Sequence, residues 1–295
     1  MKKCVFEGSG VALITPFTED NGIDTEAFGR LIDYQLREGS DAIVIFGTTG
    51  ESSTLTDEEK TELAEFTVKR VGGKVPVIAG AGSNNTRRGV ELSCIMESVG
   101  VDALLHVTPY YNKTNQEGLI RHFRTVASSV NIPILLYNVP SRTGMTINVE
   151  TCKSLADVDN IVGIKEASGD VRTAMRIKSE VGKDFAVYSG NDDVIVPTLA
   201  MGGNGVISVL ANILPAKVSA MCHSYFKGDV KTSLLFQQKY MPLISLLFCE
   251  INPMPIKYAL SLMGYCREDT RLPLWHMSDD NKLKLRHEME RLDII

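Results

Sequence analysis

Ile161-Val162-Gly163-Ile164-Lys165-Glu166-Ala167-Ser168 is an apolar, β-branched stretch with a single lysine near its C-terminal end. Successive side chains of a strand point to opposite faces, so Lys165 is expected to share a face with Ile161, Gly163 and Ala167. Val162 and Ile164 are expected to point the other way. Both faces are then apolar except at the lysine, which predicts a strand buried on both sides, as in a parallel sheet.

The lysine in this buried strand has two explanations. Burial removes water from the charged ammonium and so favours the neutral amine, which is the nucleophilic form. The structural explanation is that the side chain of Lys165 reaches the rim of the sheet or pairs with Glu166 or another carboxylate. The stretch alone leaves both explanations open.

Seven other apolar runs resemble this one, and amphipathic segments of helical spacing separate them. Thr56-x-x-Glu59 is a capping box that predicts the start of one helix. Eight alternations of buried strand and one-sided helix predict a closed (β/α)8 TIM barrel of the α/β class. An open doubly wound sheet is the alternative, but no G-x-G-x-x-G motif follows the first run. The predicted strands span residues 10–17, 42–47, 75–80, 103–109, 132–140, 161–168, 185–190 and 205–212.

Beyond about residue 227 the strand-like runs end and the pattern is helical. Helices are expected at residues 234–249, 255–263 and 280–292, and Asn252-Pro253-Met254-Pro255 is expected to form a rigid corner. No low-complexity linker precedes these helices. The sequence therefore predicts a catalytic barrel of residues 1–226 and a helical domain of residues 227–295 packed on it.

The composition excludes several classes of function. The chain has 295 residues, of which 44% are hydrophobic, and a net charge of −5 argues against a nucleic-acid partner. Its six cysteines form no C-x-x-C pair and its five histidines show no ligand spacing, so no metal site or disulfide framework is indicated. No apolar run reaches the roughly 18–20 residues that a membrane span needs, and no signal sequence follows the first residues. We expect a cytoplasmic protein that acts on small metabolites.

Polar residues gather where the predicted strands end, which is where the active site of a barrel lies. Gly47-Thr48-Thr49-Gly50-Glu51 combines a tight turn with N–H groups and hydroxyls that could hold a carboxylate, although alone it is merely a turn. Tyr137 could move protons beside Lys165, or it could pack as a core tyrosine. Arg142 could grip a carboxylate with two hydrogen bonds, or it could form a surface salt bridge.

Four motifs together resemble the dihydrodipicolinate synthases, also called 4-hydroxy-tetrahydrodipicolinate synthases. The motifs are Gly-Thr-Thr-Gly-Glu at residues 47–51, Tyr-Tyr-Asn at 110–112, Tyr-Asn-Val-Pro-Ser-Arg-Thr-Gly at 137–144 and Gly-Ile-Lys-Glu-Ala at 163–167. The resemblance covers essentially the whole chain. The family belongs to the N-acetylneuraminate lyase superfamily of class I aldolases, in which a lysine on the sixth barrel strand forms a Schiff base with pyruvate.

The resemblance implies a reaction and a role for each site residue. The reaction is the condensation of pyruvate with L-aspartate-4-semialdehyde in the diaminopimelate route to lysine, without a metal or organic cofactor. A tight homodimer, usually paired into a homotetramer, is also implied. For catalysis, Lys165 would form the Schiff base, Tyr137 would be the acid–base residue, and Thr48 and Tyr111 would complete a proton relay across the dimer. For binding, Thr49 would hold the pyruvate carboxylate through its backbone, and Arg142 would bind the second substrate. Gly190 and Ile207 would line the pocket.

Two other functions stay open at this point. A sister aldolase could cleave a sugar-derived 2-keto acid, although sialic-acid lyases generally lack the counterpart of Arg142. A catalytically silent barrel could bind a keto acid as a sensor or structural subunit. The intact set of Thr48, Tyr111, Tyr137 and Lys165 counts against the silent barrel, because such a protein has no use for a complete relay.

The resemblance also implies a regulatory site in which feedback-inhibited relatives bind L-lysine. Asn84 and Tyr110 keep the asparagine and one tyrosine of that site. Arg88 stands where those relatives have a glutamate that binds the ammonium, and Asp57 and Lys60 occupy the two helix positions. Because a cation replaces the anion, we expect this site to be non-functional for L-lysine, although Asp57 could offset part of the repulsion.

Overall fold

Eight parallel strands form a closed barrel in which each strand pairs with its neighbour in the sequence and β8 returns to β1. A computed structural model describes residue 2 and residues 4–295 of the chain. The predicted (β/α)8 barrel is confirmed. The strands are β1 (Gly8–Ala12), β2 (Ala42–Ile45), β3 (Val77–Gly80), β4 (Ala103–Val107), β5 (Ile134–Asn138), β6 (Ile161–Glu166), β7 (Ala186–Ser189) and β8 (Gly205–Ser208).

Helices follow the strands and cover the outside of the barrel. The capping box predicted at Thr56 is present, because Thr56 Oγ1 accepts from Glu59 N while the Glu59 carboxylate accepts from Thr56 N. The helices are α1 (Thr25–Arg37), α2 (Asp57–Val71), α3 (Thr86–Val99), α4 (Gln116–Ala127), α5 (Pro140–Thr143), α6 (Val149–Ala156), α7 (Val171–Glu180), α8 (Ile195–Ala200), α9 (Pro215–Phe226), α10 (Val230–Leu247), α11 (Met254–Leu262) and α12 (Asp279–Arg291).

The strands are shorter than the apolar runs that predicted them. The run at 205–212 contains a four-residue strand, and its remainder turns into a 3-10 segment at Leu210–Asn212. The run at 132–140 likewise continues past β5 into the proline that begins α5. The extra apolar residues belong to loops that are buried at the mouth of the barrel, so hydrophobicity alone overestimates strand length there.

One prediction about β6 is wrong. Ile134 of β5 pairs with Ile161, but the next residue, Leu135, pairs with Gly163, so Val162 is an extra residue in β6. This bulge turns Val162 toward the interior of the barrel, whereas Ile161 and Ile164 lie in the layer between barrel and helices. Simple alternation had placed Ile161 on the face of Lys165.

The C-terminal helices lie close to their predicted positions. Helix α10 packs on α9, and α12 packs on α10 and α11. Side chains of all three C-terminal helices belong to the same continuous hydrophobic core as the barrel helices. The division into a barrel of residues 1–226 and a domain of residues 227–295 stays a prediction. None of the helices in the described part of the chain combines the length and the apolar character that crossing a bilayer requires.

Candidate active site

Lys165 and Tyr137 lie side by side at the C-terminal ends of β5 and β6. The two residues are register partners, and Lys165 Nζ is 4.5 Å from the centre of the Tyr137 ring. Both side chains are buried, with Lys165 only 6% exposed. No described residue gives Lys165 Nζ a hydrogen bond or a carboxylate partner. The amine is therefore held at the barrel mouth without a structural role for its charge.

Glu166 is not the partner of Lys165. Its side chain lies on the other face of β6, where Oε2 accepts from Asn138 Nδ2 at 2.8 Å and Oε1 accepts from Ser168 N at 2.6 Å. Burial raises the pKa of Glu166, and these hydrogen bonds oppose that rise. The structural explanation in which Glu166 neutralises Lys165 is thereby wrong.

Gly190 follows β7 and leaves room for the lysine. A Cβ atom at this position would lie 2.5 Å from the Ala167 Cβ atom and 3.1 Å from the Lys165 Cε atom. Gly190 N also donates to Glu166 O at 2.7 Å, which holds the loop against β6. Ile207 of β8 is fully buried in the interior cluster that contains Tyr137. Gly190 therefore shapes the space around Lys165, and the expected place of Ile207 in the pocket stays a prediction.

Asp192 fixes the loop that follows Gly190. Its Oδ2 atom accepts from the N atoms of Val209 and Leu210 at 3.0 and 2.8 Å, which ties the loop after β7 to the loop after β8. Burial raises the pKa of Asp192, and the opposing influences are its hydrogen bonds and the nearby charge of Lys165.

The loop after β2 presents free backbone N–H groups. Gly50 N donates to Gly47 O and Glu51 N donates to Thr48 O, which makes a tight turn. The N–H groups of Thr48 and Thr49 have no partner among the described residues. Phe46 and Glu51 flank the turn with φ values of 56° and 52°, a left-handed conformation that costs energy in residues other than glycine. Such a strained turn with unpaired donors is suited to binding a carboxylate.

Arg142 lies at the edge of the same mouth, on the short helix α5. Its Nη2 atom donates to Asn252 O at 3.1 Å, and no carboxylate of the described chain pairs with it. The surface salt bridge that was the alternative is absent from these residues. The guanidinium is therefore held in place while its charge is available to a ligand.

A cavity of about 480 Å³ joins several of these residues. Thr48, Tyr137 and Arg142 line it, and so do residues of the expected regulatory site. Thr49 does not line the cavity, because its side chain turns away and its Oγ1 accepts from Asn252 Nδ2 at 2.9 Å. The hydroxyl of Thr49 is therefore engaged by Asn252, and the expected binding of a carboxylate through the backbone of Thr49 stays a prediction.

Tyr111 is the one expected catalytic residue that the fold does not bring to Lys165 within the described chain. Its side chain is 94% exposed and its φ is 68°, so the loop after β4 holds the ring away from the body of the protomer. A tyrosine so fully exposed on a strained residue is unusual unless another surface covers it.

Four residues of the expected regulatory site line the cavity, namely Asp57, Lys60, Arg88 and Tyr110, and Asn84 lies beside Tyr110. Arg88 forms ion pairs with Asp57 and, at 3.5 Å, with Glu91. Lys60 is 8% exposed, and burial lowers its pKa. Asn84 Nδ2 donates to Tyr110 O at 3.1 Å. The charge of Arg88 is thus largely balanced, which leaves Lys60 as the unpaired cation.

Sequence reasoning missed the contribution of the C-terminal part to the site. Asn252 was interpreted only as part of a rigid corner, yet it contacts both Thr49 and Arg142. Lys257 pairs with Glu51 at 2.6 Å, and both side chains are buried. The only indication in the sequence that this segment contributes to the site was a polar residue, Asn252, in front of Pro253 in a largely apolar segment.

Across residue 2 and residues 4–295, no three side chains of His, Cys, Asp or Glu come together in a way that could hold a metal ion. The expectation that the reaction uses no metal or organic cofactor stays a prediction.

Comparison with known proteins gives a consistent result. A model of the dihydrodipicolinate synthetase family matches residues 5–292. The 4-hydroxy-tetrahydrodipicolinate synthase of Thermoanaerobacter sp. (strain X514) is 50% identical over 292 residues, which cover 99% of this chain and 98% of that protein.

Solved structures agree closely with this fold. The crystal structure of dihydrodipicolinate synthase from Aquifex aeolicus has a TM-score of 0.96 and 43% identity, covering 98% of this chain and 99% of that one. The structure of DHDPS from Cyanidioschyzon merolae with lysine bound has a TM-score of 0.96 and 38% identity, covering 99% and 100% of the two chains.

Proposed function

This chain belongs to the dihydrodipicolinate synthetase family, and from that membership we propose a role for each residue around Lys165 in the reaction of the family. The enzyme is a lyase of the class I aldolase type that condenses pyruvate with L-aspartate-4-semialdehyde. The observation that carries the assignment of roles is the position of Lys165. Its buried, unpartnered amine lies against Tyr137, beside a cavity that Thr48 and Arg142 also line.

The first half of the reaction forms the enamine. The free N–H groups of Thr48 and Thr49 bind the pyruvate carboxylate. The neutral amine of Lys165 attacks the keto carbon, and the Tyr137 phenol donates the proton with which the hydroxyl of the carbinolamine leaves as water. The resulting imine, in its protonated form, draws electrons from the methyl group, so the Tyr137 phenolate takes one methyl proton, which gives the enamine and restores the phenol.

The second half joins the two substrates. The enamine carbon attacks the aldehyde carbon of the semialdehyde, whose carboxylate Arg142 holds with two hydrogen bonds. Tyr137 and Thr48 return a proton to the new alkoxide. The amino group of the second substrate then displaces Lys165 from the imine carbon, which closes the ring and releases the free amine for the next turnover.

The exposed Tyr111 supports an oligomer. We propose a tight dimer in which each protomer's Tyr111 enters the site of its partner and extends the proton relay there. Dimers of this kind would pair into a homotetramer, as the family pattern implies. The metabolic reaction and the six cysteines, none of which forms a disulfide, support the cytoplasm as the compartment.

A coupled assay tests the proposed substrates. The purified enzyme should consume pyruvate only when L-aspartate-4-semialdehyde is present, and it should not cleave N-acetylneuraminate to pyruvate. Cleavage of the sugar acid at a comparable rate would assign the chain to the sister aldolases. A protein that binds pyruvate but turns over neither substrate would be the silent barrel.

We also propose that physiological L-lysine does not inhibit this enzyme. Lys60 is a buried cation without a hydrogen-bond partner among the described residues, and it lies close to Arg88. An ammonium of L-lysine held about 4 Å from such a cation, at an effective dielectric constant of about 20, would be repelled by about 4 kcal/mol. Asp57 would otherwise attract an ammonium, but it is already paired with Arg88.

Steady-state assays across L-lysine concentrations test this second proposal. Activity should be unchanged up to the millimolar range, and Arg88→Glu alone should restore little inhibition because Lys60 remains. Clear inhibition of the wild type below about 1 mM, which is roughly −4 kcal/mol of binding, would contradict it.

A further inference from the structure

The C-terminal segment from Asn252 to Lys257 holds the loop after β2 at two points. Asn252 Nδ2 donates to Thr49 Oγ1 at 2.9 Å, and Lys257 Nζ donates to Glu51 Oε1 at 2.6 Å. The two contacts join residues more than 200 positions apart in the chain. They bracket Gly50, so they act on the loop in which the N–H groups of Thr48 and Thr49 have no partner among the described residues.

Asn252 makes a further contact with its main chain. Its carbonyl oxygen accepts from Arg142 Nη2 at 3.1 Å. Asn252 is only 5% exposed, and it lies behind both Thr49 and Arg142 rather than in the cavity that Arg142 lines. One buried residue therefore contacts both Thr49 and Arg142 without lining the cavity.

The contact between Lys257 and Glu51 fixes one end of the loop, whereas Asn252 contacts its middle. Glu51 is held by Lys257 and, through its other oxygen, by Arg271 N at 3.0 Å, so the end of the loop is fixed. Thr49 has no other side-chain hydrogen bond among the described residues. Turn hydrogen bonds hold the peptide groups of the loop, and the contact from Asn252 is the one side-chain hydrogen bond that fixes Thr49 within it.

We infer that Asn252 is a positioning residue for substrate binding, with a side chain that orients the carboxylate-binding loop through Thr49 and a main chain that holds Arg142. The inference rests on the proposed function, in which the loop binds pyruvate and Arg142 binds the semialdehyde. It also makes the C-terminal helical part a component of the active site rather than an attachment to it.

The two roles of Asn252 can be separated, because only one of them uses the side chain. Asn252→Ala removes the hydrogen bond to Thr49 and leaves the main-chain carbonyl that Arg142 contacts. We expect the pyruvate concentration for half-maximal reaction to rise about fivefold to tenfold, the loss expected for one hydrogen bond. The KM for the semialdehyde should change by less than about twofold.

The experiment measures two constants in each variant. Borohydride inactivation at increasing pyruvate concentration gives half-saturation for imine formation without the second substrate, and steady-state assays give the KM for the semialdehyde. Asn281→Ala is the matched control, because Asn281 also lies in the C-terminal part and loses one side-chain hydrogen bond, to Glu250 Oε1 at 2.7 Å. It should leave both constants unchanged.

A selective rise in the pyruvate constant, absent in Asn281→Ala, supports the inference. An unchanged pyruvate constant, or a rise of both constants by the same factor, overturns it, because a merely structural asparagine would act on both substrates or on neither. If Asn252→Ala does not fold, Thr49→Val removes the same hydrogen bond from the other side and must show the same selective rise. Absence of borohydride inactivation in the wild type would instead refute the proposed function, independently of Asn252.

Discussion

The buried ion pair between Lys257 and Glu51 makes a strong prediction about stability. Lys257 is fully buried, Glu51 is nearly so, and the ammonium also lies 4.1 Å from the centre of the Phe17 ring. Lys257→Met keeps much of the side-chain volume but removes the charge. Glu51 is then left as a buried carboxylate whose remaining partner is the N–H of Arg271.

The expected cost follows from that uncompensated charge. Breaking a buried ion pair by removing one partner destabilises a protein by about 3–5 kcal/mol. A chain of 295 residues unfolds with an entropy near 0.6 kcal/mol per degree, at roughly 2.1 cal/mol/K per residue. Lys257→Met should therefore lower the thermal midpoint by about 5–8 °C.

A matched pair in the same part of the chain provides the control. Lys282 donates to Glu268 at 2.7 Å and also lies over an aromatic ring, that of Tyr258, at 5.2 Å. Its ion pair is partly exposed to solvent, with side-chain exposures of 19% and 29%. Lys282→Met should cost less than about 1 kcal/mol, because solvent compensates the remaining carboxylate.

Scanning calorimetry at a fixed protein concentration measures both variants. The double variant Lys257→Met/Glu51→Gln should recover part of the loss, because glutamine can still accept from Arg271 N and leaves no buried charge. The reasoning is refuted if Lys257→Met shifts the midpoint no more than Lys282→Met does. It is equally refuted if adding Glu51→Gln to Lys257→Met lowers the thermal midpoint again by a similar amount.

Three further predictions concern individual side chains. Arg142→Ala should spare imine formation with pyruvate and raise the KM for the semialdehyde by about 100-fold, the cost of two charge-assisted hydrogen bonds; normal use of the semialdehyde by the variant would remove the support for this role. Tyr111→Phe should be inactive but folded, and mixing it with Lys165→Ala should restore some activity through mixed dimers; no recovery despite proven subunit exchange would place Tyr111 in its own protomer's site. Burial lowers the pKa of His106 from 6.5 to about 3, so the unfolded chain takes up a proton between these values that the native chain cannot, and stability falls as pH falls. Between pH 7 and pH 5 the free energy of unfolding should fall by about 2 kcal/mol because of this residue. Denaturant titrations at the two pH values should show a decrease in His106→Gln that is smaller than the wild-type decrease by that amount. Equal decreases in the two proteins would contradict the prediction.

The barrel was predictable because its signal is local. Each apolar run and each amphipathic segment carries its own periodicity, and the capping box at Thr56 marks a helix start within four residues. The bulge at Val162 was not predictable, because the extra residue is defined by pairing with β5 and leaves no mark on alternation within β6. Register between strands is a tertiary property, and it decided which neighbours share the face of Lys165.

The site was predictable where strand ends carry distinctive residues and not where distant segments meet. Lys165 and Tyr137 lie near the ends of recognisable strands and Thr48 follows another, and the closure of the barrel brings these strand ends to one mouth. Asn252 reaches the same mouth from a segment with no strand, across about 200 residues of chain. Likewise, nothing in the sequence near Arg88 shows that Asp57 balances its charge, because the two residues belong to different helices.

Covalent trapping shows whether Lys165 forms the Schiff base with pyruvate. The enzyme is incubated with pyruvate and borohydride, digested, and its peptides are mapped by mass spectrometry, with Lys165→Ala treated in parallel. We expect one reduced pyruvyl group per chain, on Lys165, with loss of activity in proportion to labelling and no label in the variant. A label on another lysine, or an enzyme that stays unlabelled while it turns over both substrates, would contradict it.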